Sequence, residues 1–117
     1  MSSDLDETIP PFRYYNEGFV VSISITAKVG EEDSVANILD SLVAPTMAEE
    51  GVKLFLPYRS LDDKAQFFIF ELYFNKAGWD AHQQAPHFLE AIKELLPRCA
   101  KRERIPFVPF VGLPQSS

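Results

Sequence analysis

A single cysteine, Cys99, denies this chain of 117 residues any internal disulfide. Stability has to come from one packed core, and a chain of this length can bury roughly two thirds of its unfolded surface. Glycine-rich phosphate loops, dinucleotide fingerprints and nucleophile elbows are all missing, so nicotinamide, flavin and nucleoside triphosphate have no sequence support and no cofactor is expected. Apolar runs stay far below the ~20 residues of a membrane span. The acidic residues 1–7 lack the apolar stretch of a signal peptide. Together these absences predict a soluble, cytoplasmic protein with no membrane partner. Basic clusters are scarce as well. Net charge is −6, and the one dense basic run, Lys101-Arg-Glu-Arg104, reads as a solvated face. Such a chain opposes nucleic acid, and none is expected as a partner.

Histidine is nearly absent too. His82 and His87 are the only two, five residues apart with Pro86 between them. On one continuous helix five residues turn a side chain by roughly 140 degrees, so a single face cannot offer both to an ion. No metal site is expected on that reasoning. Cys99 lies beside Arg98 and Lys101, which would lower the pKa of an exposed thiol, but a packed cysteine at a helix end is the expectation.

What is present is an excess of phenylalanine, 10 residues, enough to fill a core, line a cavity or build an interface. Residues 1–17 read as an acidic extension whose second half, with Phe12, Tyr14 and Tyr15, packs on the domain or on a partner. A single domain follows over 18–113, and 114–117 form a tail. From Phe19 to Thr26 apolar and polar residues alternate, the signature of a strand with two different faces. A helix starts near Glu31, its acids suiting the positive end of the dipole, with Val35, Ile38, Leu39 and Leu42 as its apolar stripe. Residues 47–50 extend it past Pro45, and Gly51 is placed as its terminal glycine. Val52 to Arg59 is a second strand, and Pro57 argues for an edge or a bulge. Residues 60–64 turn the chain, and residues 66–75 are a third strand paired with the second as a hairpin. After a turn over 75–78, a short helix covers about 79–84. Pro86 opens another, with Phe88, Leu89, Ile92, Leu95 and Leu96 facing inward. Residues 105–113, with Pro106 and Pro109, form a last edge strand or an arm over another subunit. The order is β-α-β-β-α-β, an α+β fold of ferredoxin-like type with an antiparallel sheet and helices on one face. The uncovered face would be an apolar patch, which pairing two sheets removes.

Glu71 is the one charged residue in an otherwise apolar strand, and a buried carboxylate must be paired, hydrogen-bonded or protonated. The following helix can bring His82 or His87 near it. A Glu71–His82 pair would fix the imidazole tautomer and make it a general base, or would serve as an architectural hydrogen bond. Tyr58, Tyr73 and Trp79, near one end of the sheet and helix, could stack on a planar ligand or simply pack. Arg59 could hold an oxyanion or pair with Asp62 or Asp63.

The segment Glu71-Leu-Tyr-Phe-Asn75, then Trp79-Asp-Ala-His82 and Ala85-Pro-His-Phe88, stands behind Gly51, Phe55, Ser60 and Asp62-Asp63. This pattern resembles the antibiotic biosynthesis monooxygenase (ABM) domain, in which a Gly-x-x-x-Tyr/Phe strand precedes Ser-x-x-Asp, Glu-x-Trp/Tyr and His-x-x-x-Pro-His-Phe. The likeness runs over roughly residues 18–112. It implies a homodimeric α/β barrel whose last strand reaches toward the partner. It also implies a cofactor-independent monooxygenase acting on a quinol- or anthrone-like aromatic. His82 would be the base, with Glu71 orienting it, and Tyr58, Tyr73, Trp79, His87 and Phe88 would form the substrate pocket. A non-catalytic or regulatory dimer binding a small aromatic metabolite is the alternative. Haem degradation ranks lower, since Ser22, Ser24 and Thr26 stand where haem-degrading relatives look to an asparagine.

Overall fold

The structure, a computed structural model, describes residues 12–110. The expectations for residues 1–11, for the end of the last strand and for the 114–117 tail lie outside that range. The elements are α1 (Phe12–Asn16), β1 (Phe19–Ala27), α2 (Glu32–Met47), β2 (Val52–Arg59), β3 (Gln66–Tyr73), α3 (Lys76–His82), α4 (Pro86–Leu95), a 3-10 turn (Leu96–Arg98) and β4 (Cys99–Phe107). The four strands form one antiparallel sheet in the order β2-β3-β1-β4, the ferredoxin-like arrangement.

β1 alternates as its sequence does. Val21, Ile23, Ile25 and Ala27 are buried toward the helices, while Ser22, Ser24 and Thr26 occupy the other face. β3 lies beside it in matching register, Val21 opposite Glu71 and Ile23 opposite Ile69, so Glu71 sits on the helix-covered face. α2 closes that face with Val35, Leu39 and Leu42, each buried side chain contributing about 1.5–3 kcal/mol. Pro57 is on β2, an edge strand, as its missing donor requires. β2 also carries a register shift between Val52 and Leu54, which buries both Val52 and Lys53.

Lys53 is held in an unusual way. Its ammonium donates to the carbonyl oxygens of Tyr14 (2.6 Å) and Glu17 (2.7 Å) and lies over the rings of Tyr14 and Phe74. This clamp ties α1 and the link that follows it to the sheet, and the Tyr14 ring packs edge-on against Phe74.

Six sequence expectations are corrected. α2 stops at Met47 rather than running to residue 50. Pro45 has removed one helical donor, and residues 48–51 turn instead. Gly51 is therefore no helix terminator. It meets Gly78 backbone to backbone, and a Cβ on Gly51 would fall 2.6 Å from the Gly78 Cα. α3 begins at Lys76, because the Asn75 side chain accepts the Gly78 N–H and caps it, where a plain turn was expected. α4 turns Leu89 outward, and Leu96, in the 3-10 turn, is exposed as well; the inner contacts of α4 come from Phe88, Ile92 and Leu95. β4 starts six residues earlier than expected, at Cys99, whose thiol donates to the Leu95 carbonyl (3.3 Å) and is pushed up in pKa by burial. Arg59 turns from Asp62 and Asp63 to pair with Asp33 at 3.0 Å. Among the described residues no helix is long and apolar enough to cross a membrane.

Candidate active site

Three local features place the key groups. The turn after α2 is pinned at both ends of Glu49, whose N–H donates to Thr46 O (3.0 Å) while its carbonyl accepts from Val52 (3.2 Å). The Gly51–Gly78 contact then lets α3 lie directly against this turn, which brings its last residue, His82, up to the Glu49 carboxylate. The chain breaks helix at residues 83–85 before Pro86 opens α4, with Ala85 N–H on His82 O and Leu89 N–H on Ala85 O. That break re-aims the second histidine.

The result is a His82–Glu49–His87 triad. His82 Nδ1 and His87 Nε2 each lie 2.7 Å from the same oxygen, Glu49 Oε2. The expectation that the two histidines diverge is thus corrected. The 140-degree rotation holds for one continuous helix, and these residues belong to two. The expected Glu71–His82 hydrogen bond is corrected as well, since Glu49 occupies Nδ1 and the Tyr73 hydroxyl donates to Glu71 Oε1. Tyr73 and Glu71 are two apart on β3 and share a face, which puts the phenol within reach of the carboxylate.

Glu71 and His82 still meet across one cavity. It has a volume of about 20 Å³ and lies between sheet and helices, with walls from Ile23, Ile25, Leu39, Leu42, Phe55, Ile69, Phe88, Ile92 and Leu95. Its polar groups are Glu71, His82 and Arg102. Such a volume holds about one water-sized molecule. Phe88 packs against the His82 ring, centroids 4.9 Å apart.

The electrostatics follow from burial. Glu71 is 2% exposed, and desolvation pushes its carboxyl up to about 7 against the opposing pull of the Tyr73 hydrogen bond and of Arg102 and Arg104. Burial also lowers the pKa of His82, opposed by its bond to Glu49, so the ring is held neutral. A neutral imidazole that donates Nδ1–H to a carboxylate carries its lone pair on Nε2 and can accept a proton there. Arg102 brings a guanidinium to the same cavity; its Nε is buried with no hydrogen-bond partner among the described residues, and burial lowers its pKa.

The remaining expected residues divide. Tyr73 and Phe88 contact the cavity groups, and His87 reaches them through Glu49. Trp79 packs on Phe19 (5.5 Å between centroids) and does not line the cavity. Tyr58 stacks on Phe68 on the opposite face of the sheet, and the register puts it at the start of β3, away from Tyr73 at the strand's end. Sequence reasoning does not find Glu49, whose surroundings read as a helix tail, or Arg102, whose basic run reads as a solvated face.

The family model for antibiotic biosynthesis monooxygenase matches residues 18–94. A Mycobacterium tuberculosis protein named "Putative monooxygenase Rv0793" is 34% identical over 64 residues, and the match spans 52% of this chain and 62% of that protein. The solved structure of Rv0793 superposes with a TM-score of 0.72 at 21% identity, over 85% of this chain and 98% of that one. The Pseudomonas aeruginosa protein PA3566 gives a TM-score of 0.77 at 22% identity, covering 83% of this chain and 98% of its own. At these identities the solved structures speak to the fold.

Proposed function

The chain belongs to the antibiotic biosynthesis monooxygenase family, and from that premise we propose that it is a cofactor-independent monooxygenase oxidising a quinol- or anthrone-like aromatic with dioxygen. The observation that carries this reading is the buried, neutral His82, held by Glu49 at Nδ1 beside an apolar cavity. Its Nε2 removes a phenolic or activated C–H proton, leaving an anion electron-rich enough to reduce dioxygen. For an anthrone the methylene becomes a carbonyl; one oxygen atom enters the product and the other leaves as water. Arg102 sits where it can stabilise the oxyanion, and Glu71, with its pKa near neutrality, can return a proton. The apolar wall suits dioxygen, and an aromatic ring enters a cavity of about 20 Å³ only as lining side chains give way.

A second reading is a non-catalytic or regulatory dimer that binds a small aromatic metabolite; a cavity of only about 20 Å³ beside His82 leaves the interior nearly filled, which speaks against chemistry there. Dioxygen uptake with a panel of quinols and anthrones separates the two. The enzyme reading expects uptake by the wild type and at least a hundredfold loss in His82→Ala, with folding checked by circular dichroism. Equal rates in the two proteins exclude His82 as the base. Binding without uptake across the panel supports the second reading.

In either case the working unit we propose is a homodimer. Phe68, Ile105 and Phe107 stand exposed on the sheet face that the helices leave uncovered, and a second copy would bury them in a dimeric α/β barrel.

A further inference from the structure

Among the described residues, Glu49, His82 and His87 bring one carboxylate oxygen and two imidazole nitrogens within 4.8 Å of one another. The three stand on separately anchored pieces of backbone: the turn after α2, the last residue of α3 and the second residue of α4. Two imidazoles and a carboxylate suit first-row divalent ions, whereas magnesium and calcium prefer all-oxygen shells. The cluster is shielded on one side and open on the other. The His82 side chain is 3% exposed, that of Glu49 15% and that of His87 26%. His87 borders a surface groove of about 330 Å³ between α2 and α4, which it shares with Glu90 and Glu94. Those two carboxylates place a negative field at the entrance, favouring a cation.

We propose that Glu49 Oε2, His82 Nδ1 and His87 Nε2 bind a single divalent first-row transition ion such as Zn²⁺, with water from the groove completing its shell. Bonds of ~2.0–2.1 Å set tetrahedral ligand atoms about 3.3 Å apart. Each N–O separation of 2.7 Å therefore widens by roughly half an ångström on loading, within reach of a rotation of the Glu49 side chain. Loading also changes the ring. With the ion on Nδ1, the proton of neutral His82 moves to Nε2, which becomes a donor instead of an acceptor. The ion is then a brake on base chemistry at His82 rather than a cofactor for it. The site itself does not depend on that chemistry.

The test is titration of chelator-treated protein with Co²⁺, followed by its absorption spectrum, and with Zn²⁺ in competition with a fluorescent chelator. One equivalent per chain is expected. Affinity should fall on the order of 100-fold or more in His87→Ala and in Glu49→Gln, beyond the ~10–100-fold typical of outer-shell losses. Both changed residues are partly exposed, and circular dichroism checks their folding. Histidine ¹⁵N shifts of His82 and His87 should move together as Zn²⁺ is added. Binding that is unchanged in both variants, or wild-type protein that takes up no ion below millimolar concentration, overturns the proposal.

Discussion

Glu71 is where burial and ionisation compete most directly. The folded carboxyl keeps its proton up to about pH 7, against an ordinary value of 4.5. Between those limits the native state binds more protons than the unfolded state, so this residue's contribution to stability is fully present below pH 4.5 and is lost as pH rises through 7. The loss amounts to at most about 3 kcal/mol. Urea unfolding of wild type and Glu71→Gln from pH 5 to 8 should show the wild type losing stability relative to the variant as pH rises, because the amide keeps a neutral partner for Tyr73. Parallel curves would show that Glu71 is not the group responsible. Glu71 was legible in the sequence, since a lone acid in the apolar strand Gln66–Tyr73 has to be accounted for. Its partner was not, because nothing in the string Glu-Leu-Tyr says that the phenol, rather than a distant imidazole, takes the carboxylate.

At the scale of elements, strand periodicity carried more information than helix ends did. The alternation of β1 and the proline of β2 located a two-faced strand and an edge strand without further help. The end of α2 was misread because Met47-Ala-Glu-Glu50 has good helical propensity, and the tertiary demand for a turn there is invisible locally. Glu49 escapes notice for that reason, and the convergence of His82 and His87 escapes it because a single-helix rotation says nothing about two residues on either side of a break. The Gly51–Gly78 contact shows the same thing from the packing side. A Cβ on Gly78 would lie 2.6 Å from the Gly51 carbonyl oxygen. Gly78→Ala gains up to about 1 kcal/mol of helix propensity but forces α3 off the turn, and overpacking of this kind typically costs about 1–3 kcal/mol. Thermal denaturation should show a net loss of stability; a variant melting above wild type would mean that the contact is loose.

For the whole molecule, the consequence of a one-sided sheet is an apolar face that no helix among the described residues covers. Phe68 lies on β3 with Tyr58 stacked on it, and Ile105 and Phe107 lie on β4. Light scattering coupled to size exclusion should give the mass of two chains for the wild type and of one for Phe68→Glu, since a carboxylate there would be desolvated on pairing. A monomeric wild type would remove the dimer from the proposed function. The same sheet bears on where this protein begins. Homology draws the domain's edge at residue 18, where the family match starts. Hydrogen bonding draws it elsewhere, because the ammonium of Lys53 has exchanged its water for the carbonyls of Tyr14 and Glu17, both upstream of that edge. A chain trimmed to the family boundary would keep the lysine and discard those two carbonyls. The described residues just before the match, Tyr14 to Glu17, are therefore part of the folded unit, because they solvate a lysine that the sheet has buried.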